Sequence, residues 1–185
     1  EGVNLSEVMA FLDRTLPKDA IVTNGAGNFA AWLHRFYRHK SFKTQLAPTS
    51  GAMGYGFPAA LAAKAVFPHR DVVCVAGDGD FMMAANELAT AMHHDLPVIT
   101  IISNNGTYGT IRMHQEREYP ARVSGTDLTN PDFAAFARSF GAFGATVTRN
   151  EDFPAAYEAV IAVTAVGPDL AGYRHANRGF HIDVA

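Results

Sequence analysis

Two short stretches carry residues whose types and spacing could do chemistry. In "DVVCVAGDGDFMM", residues 71–83, Asp78 stands between Gly77 and Gly79 where an apolar run stops. In "ISNNGTYG", Asn105 follows Asp78 by 27 residues. A helix beginning near Asp80 would aim free N–H groups and a positive dipole end at the same spot, a setting that suits a phosphate. The Asp78 carboxylate would repel that phosphate unless a cation lay between them. Mg²⁺ does this well, being hard, octahedral and usually held by few protein oxygens plus substrate phosphates. Asn105 offers a neutral amide oxygen, and a backbone carbonyl just beyond it offers a third ligand. Each stretch alone reads as a tight turn or a helix cap. Their separation suffices for a helix of about four turns and a return strand, so both side chains reach one edge. The pair predicts a Mg²⁺-bridged diphosphate. A dinucleotide fingerprint is not present, because "GDGDFM" lacks the third glycine and no acid ends the next strand as a ribose ligand.

The elements that must position these residues follow from the apolar pattern. "LSEVMAFLDRTL" has helical spacing, with Ser6 as its expected N-cap. "AIVTNG" is a short β-branched run, and the amphipathic "NFAAWLHRFYR" follows it. "GYGFPAALAAKAVF" reads as a buried helix, "DVVCVAG" and "PVITIISNN" as apolar strands, and "DFMMAANELATAMHH" as one helix between them. Further helices are expected around 108–117, 131–140 and 152–164, with a strand over 142–148. Apolar strands alternating with helices require a mostly parallel sheet covered on both faces, so the fold class is α/β, doubly wound. Ligands of such sheets bind at the carboxyl ends of the strands. Three strands here end in glycine- or amide-rich turns, "TNGAGN", "AGDGD" and "SNNGTYG", where backbone can approach a ligand closely.

Composition narrows the function classes. The chain has 185 residues, 48% hydrophobic and 18% charged, with a net charge of −3. This is enough for a single domain over 1–185 with one good core. It leaves no electrostatic footprint for nucleic acid or an anionic membrane. No apolar run approaches a membrane span, and the single Cys74 lies inside a Val-rich run, so a cytoplasmic setting with a reduced thiol is expected. The adjacent His93 and His94 suit a helix C-terminus and have no third ligand nearby for zinc.

The residues "GDGDFMM…LPVITIISNNGTYG" resemble the thiamine diphosphate motif, GDG followed about 25–30 residues later by NN. The resemblance runs from about residue 5 to 162. It is to the C-terminal, diphosphate-binding domain of acetolactate synthase-like and 2-oxoacid decarboxylase-like enzymes, and it implies the thiamine diphosphate-binding fold. It further implies that Asp78 and the Asn105 side chain bind Mg²⁺, with the Thr107 carbonyl as third protein ligand. Gly79 and Asp80 would meet the diphosphate, and so would Ala26 and Gly27 in "NGAGN". A second block, "TSGAMGYGFPAALAAK", resembles the family segment "GxMGxGxPAA". By that resemblance the Gly51 carbonyl would accept a bond from the cofactor's aminopyrimidine. Met53 would wedge beneath the cofactor, a role its shape-adapting side chain suits.

The implied chemistry is decarboxylation of a 2-oxo acid, or its joining to a second carbonyl. In the family the glutamate that activates the pyrimidine lies on a separate amino-terminal domain, usually of a neighbouring subunit, so a homo-oligomer is implied. No glutamate here takes that role: Glu87 sits mid-helix, and Glu116 and Glu118 lie in a charged stretch, so no catalytic residue is assigned. "NNGTYG" resembles the metal loop of benzoylformate decarboxylase, whereas Ile111 falls where pyruvate decarboxylases carry a catalytic glutamate. His114 and Gln115 are candidates to face the reacting carbonyl, with a helix-surface role as the alternative for His114. The tail over 165–185 departs from the family pattern, reading as a loop with only "FHIDVA" as a possible strand. Three readings stay open. The chain is the cofactor domain of a longer acetolactate synthase-like enzyme, the small subunit of a split 2-oxoacid decarboxylase, or a non-catalytic cofactor-binding protein.

Overall fold

A computed structural model describes residues 2–165 and 180–184, with side chains to residue 162. Eight helices and six strands are named below in chain order. They are α1 (Leu5–Thr15), β1 (Ile21–Asn24), α2 (Phe29–Phe36), β2 (Gln45–Leu46), α3 (Gly56–Val66), β3 (Val72–Gly77) and α4 (Asp78–Met82). Then come α5 (Leu88–His93), β4 (Ile99–Ser103), α6 (Gly109–Glu118), α7 (Phe133–Ser139), β5 (Phe143–Val147), α8 (Phe153–Ala165) and β6 (Phe180–Val184).

The strands form one sheet in the order β2-β1-β3-β4-β6-β5, and every neighbouring pair is parallel. Strand residues alternate between faces, and here both faces are apolar because both are covered. Val22, Val73, Val75 and Ile101 pack under α1, α2 and α8. Ile21, Val72, Cys74, Ala76 and Ile102 pack under α3, α4, α5 and α7. The expected α/β doubly wound class is the one observed. The chain leaves β1 towards β2 on one side and reaches β3 and β4 on the other, so the order reverses at the β1/β3 boundary. That switch point is where open α/β sheets place ligands. No described helix is long and apolar enough to cross a membrane.

Two local expectations are revised. The N-cap of α1 is Asn4, not Ser6: Asn4 Oδ1 accepts from the Ser6 N–H at 3.0 Å and the Ser6 hydroxyl at 2.7 Å. An Asn with extended backbone is as good a cap as Ser, and Ser6 falls inside the first turn. The helix expected across 80–94 is broken into α4, a 3₁₀ turn over Ala85–Glu87, and α5. The break follows Met83, whose side chain packs against Gly54, and Asp80 is tied to the Gly54 N–H. The pinned first turn therefore cannot run straight into the helix that buries Leu88 and Ala91. Strand β2, two residues long, was too short to show in the apolar pattern. In the tail, Phe180–Val184 of "FHIDVA" forms strand β6, which lies inside the sheet between β4 and β5, so that β4 is not an edge. The loop-like reading of 166–179 lies outside the described residues.

Helix α7 crosses β5 so closely that Gly144 is a packing requirement. A Cβ built there would meet the Ala134 carbonyl oxygen at 2.3 Å and its Cα at 2.8 Å. Both are backbone atoms on a packed helix and cannot swing aside. Gly144→Ala is expected to cost about 1–3 kcal/mol, lowering Tm by roughly 2–10 °C for a chain of this size, as measured by thermal denaturation. The buried Cys74 thiol is pushed up to about 12, mainly by desolvation. The native chain should therefore resist a thiol reagent at pH 8 and react with one equivalent only as it unfolds in urea.

Candidate functional site

Because all strands are parallel, the three glycine- and amide-rich turns emerge on one edge. Register places Val75 beside Asn24 and Gly77 beside Ser103, so β1, β3 and β4 end side by side. Their turns enclose a cleft of about 570 Å³. All nine residues assigned to cofactor or metal from the sequence line it: Ala26, Gly27, Gly51, Met53, Asp78, Gly79, Asp80, Asn105 and Thr107. Phe29, Trp32 and Ile111 add apolar wall.

Asp78 is the first residue of α4 and only 3% exposed. Its Oδ1 accepts from the Gly79 N–H at 2.9 Å. Its Oδ2 accepts from the Gly106 N–H at 2.8 Å and from Asn130 Nδ2 at 2.7 Å. None of the ion pairs among the described residues involves it. A buried carboxylate is ordinarily paired with a cation or a metal, and this one has only neutral donors. Asn105 stands exposed on the cleft wall, its Oδ1 accepting from the Thr107 N–H at 3.2 Å. No group of three His, Cys, Asp or Glu side chains that could hold a metal occurs among the described residues. The donor set on offer is one carboxylate, an amide oxygen and backbone carbonyls. It is hard and oxygen-only, and it fits Mg²⁺ completed by phosphate and water.

Asp80, equally buried, is used differently. Its Oδ1 accepts from the Gly54 N–H at 2.7 Å. The Ala26 and Gly77 N–H groups also bond to the carboxylate. One side chain thereby ties together the turns after β1 and β3 and the turn before α3. Gly25 is shaped by this contact, since a Cβ there would fall 2.0 Å from Asp80 Oδ1. Thr23 reinforces the junction by donating its hydroxyl to the Gly56 carbonyl at 2.7 Å. Burial pushes the Asp80 carboxyl up to about 6, and the three N–H bonds hold it back from going higher. Because α4 has only five residues, any anion held there would rely on individual N–H groups more than on a long helix dipole.

The 104–107 loop is braced from outside by residues 126–130. Thr107 donates its hydroxyl to the Thr126 carbonyl at 2.9 Å. The Tyr108 N–H donates to the same oxygen at 2.8 Å, and the Leu128 N–H donates to Gly106 O at 2.8 Å. Thr107 and Asp127 form an antiparallel bridge. Across the cleft, the Thr110 hydroxyl donates to Asn28 Oδ1 at 3.0 Å, joining α6 to the start of α2. Asn130, Asn28 and Thr110 were not singled out from the sequence. Asn130 sits in "TNPDF", which reads as an ordinary helix-start turn, and nothing in that pattern points to a partner 52 residues away. Of the two candidates on α6, Gln115 is committed elsewhere: its amide exchanges two bonds with Ser124, at 2.9 and 3.0 Å. His114 contacts Arg117 at 2.9 Å, and neither residue lines the cleft. Glu87, Glu116 and Glu118 do not line it either.

Comparison with known proteins follows the same outline. A family model described as thiamine pyrophosphate enzyme, C-terminal TPP binding domain, matches residues 25–168. The acetolactate synthase large subunit of Parasynechococcus marenigrum is 39% identical over 82% of this chain and 25% of its own length. The isozyme 2 large subunit of Escherichia coli acetolactate synthase is 35% identical over 78% of this chain and 27% of its own. Sulfoacetaldehyde acetyltransferase of Castellaniella defragrans is 34% identical over 79% of this chain and 25% of its own. A solved thiamine diphosphate-dependent 4-hydroxybenzoylformate decarboxylase from Rhodococcus jostii superposes with a TM-score of 0.84 at 28% identity, over 99% of this chain and 32% of that one. The chain spans about a quarter of the length of the curated relatives it matches.

The Asp80 environment gives a pH dependence whose sign is fixed. Its folded pKa lies above the ordinary carboxylate value of 3.8, so between pH 4 and 6 the folded chain binds more protons than the unfolded one. Its contribution to stability is then greatest at low pH and falls as pH rises through that window. In the metal-free protein, wild type should lose about 3 kcal/mol at most relative to Asp80→Asn between pH 4 and pH 6. Urea denaturation of both proteins across the range measures the difference.

Proposed function

The chain belongs to the thiamine pyrophosphate enzyme family, as a C-terminal TPP binding domain, and on that premise we propose that it holds thiamine diphosphate through Mg²⁺ for chemistry on 2-oxo acids. The observation that carries the proposal is the Asp78 carboxylate, buried at a strand end without a cationic partner among the described residues. In this reading Asp78, the Asn105 amide oxygen and the Thr107 carbonyl are the protein ligands of Mg²⁺. Ala26, Gly27, Gly79 and Asp80 border the diphosphate. Their backbone and small side chains admit a bulky anion, and the Asp80 carboxylate is occupied by three N–H groups. The Gly51 carbonyl accepts from the pyrimidine end, and Met53 supports the cofactor from below. When bound, thiamine diphosphate supplies the electron sink for decarboxylating 2-oxo acids or joining them to a second carbonyl.

The cleft wall also bears on how the reaction is completed. Among the described residues its only carboxylic acids are Asp78 and Asp80, the first assigned to the cation and the second bonded into the scaffold. The apolar Ile111 stands on the wall near the metal loop, in keeping with an acetolactate synthase-like or benzoylformate decarboxylase-like branch. The proposal therefore assigns the activating glutamate to an amino-terminal pyrimidine-binding domain or subunit, within a homo-oligomer. The chain supplies cofactor and metal binding, and the isolated chain turns over no substrate.

Calorimetric titration of thiamine diphosphate into the chain, with and without Mg²⁺, tests the central claim. Binding is expected only with Mg²⁺, and Asp78→Ala should weaken it by about 100-fold or more. Affinity that ignores Mg²⁺, or that survives Asp78→Ala, would overturn the assignment.

A further inference from the structure

We propose that Asn130 is a positioning residue of the cation clamp: its side-chain amide holds the Asp78 carboxylate in the orientation that receives the metal. The inference rests on the reading of Asp78 as a Mg²⁺ ligand and deepens it.

Asn130 Nδ2 donates to Asp78 Oδ2 at 2.7 Å and to Asn104 Oδ1 at 3.0 Å. Both partners are acceptors, so the NH₂ end of Asn130 must face them, and both of its hydrogens are spent. With the Gly79 and Gly106 N–H groups, Asp78 then receives three donors. A carboxylate offers about four acceptor positions, so this set orients the group and leaves it room for one cation. The choice of an amide matters electrostatically. A Lys or Arg at the same place would bond to Asp78 equally well but would neutralise it, and would repel a divalent ion a few ångströms away. Asn130 directs the carboxylate without cancelling its charge.

The segment that carries Asn130 is built to transmit position. It lies two residues before Asp132, the N-cap of α7, whose side chain accepts from the Ala135 N–H at 2.9 Å. Helix α7 packs Phe133 and Ala137 into the core. On its other side the segment bonds to Gly106, Thr107 and Tyr108 through Thr126 and Leu128. The same short strap therefore sets the Asp78 side chain and the backbone that bears the Thr107 carbonyl. Asn104, the neighbour of Asn105, is fixed by the second hydrogen of the same amide.

Mn²⁺ serves as the probe, its free concentration read by electron paramagnetic resonance in the full chain with saturating thiamine diphosphate. Asn130→Ala is expected to weaken Mn²⁺ binding about 10–100-fold, the usual effect of removing a partner of a metal ligand. Raising Mn²⁺ by the same factor should restore wild-type affinity for thiamine diphosphate, which a general loss of structure would not allow. Asn130→Ser keeps one donor and should fall between the two, providing a folded comparison if the alanine variant is unstable by circular dichroism. A folded Asn130→Ala or Asn130→Ser with unchanged Mn²⁺ affinity, or a loss that excess Mn²⁺ fails to reverse, overturns the role of Asn130. If the wild-type chain itself binds no Mn²⁺ with thiamine diphosphate, the metal reading of Asp78 falls first and this inference with it.

Discussion

The structure depends on a carboxylate withdrawn from water and left without a positive partner. Asp78 is nearly buried, and every donor to it among the described contacts is neutral. Hydrogen bonds to neutral groups offset part of the desolvation of a charge but do not balance it. In the proposed reading the site is one half of an electrostatic pair, and the fold around it makes this half tolerable. Strand β3 delivers the acid to the end of the sheet, and β4, its register neighbour, delivers the amide loop. The strap over 126–130 closes the arrangement from outside. If any of the three were displaced, Asp78 would be solvated or would lose its orientation.

Asp80, two residues on, shows the opposite use of the same side chain. It is equally buried and accepts from the N–H groups of Gly54, Ala26 and Gly77. The first two come from separate turns and the third from the end of β3, so its carboxylate works as a junction within the scaffold. The one-turn α4 sends one acid to the 104–107 loop and the other to the 24–27 and 51–54 turns. A strand end that carried only Asp78 would present a ligand on unconnected loops. One that carried only Asp80 would be well braced and inert towards cations.

How much of this could be read in the residues depends on distance along the chain. Apolar runs such as "DVVCVAG" and "PVITIISNN" are strands because burial on both faces leaves no polar alternation, a signal contained within each run. The three turns share an edge because all the strands are parallel, so their gathering at one cleft follows from the fold class. Local capping was less secure: Asn4 and Ser6 are both good caps, and only the dihedrals distinguish them. The break after Met83 and the two-residue β2 are imposed by tertiary contacts, which no local propensity encodes. Asn130 is the clearest case. Its partner lies 52 residues away across α5, β4 and α6, and its own setting, before a proline at a helix start, is common in turns.

The same reasoning separates binding from proton transfer in this chain. A general acid or base must come within hydrogen-bonding reach of the proton it moves and must be free to change state. Asp80 is within the cleft wall, but its carboxyl is bonded to the Gly54 N–H and built into the scaffold, so it is not free to swing towards a proton to be moved. Asp78 is held by three donors, and in the proposed reading a metal ion occupies its remaining position. The hydroxyl of Thr110 is spent on Asn28, and the amide of Gln115 on Ser124. What the described cleft offers is thus nearly all fixed dipole, which favours a bound anion and cation because it need not reorganise around them. Such a surface is well suited to hold a reactive cofactor and poorly suited to switch it on. In the proposed reading the proton-transfer group approaches the cleft from elsewhere, and the chain's part in the chemistry is to hold the cofactor in place.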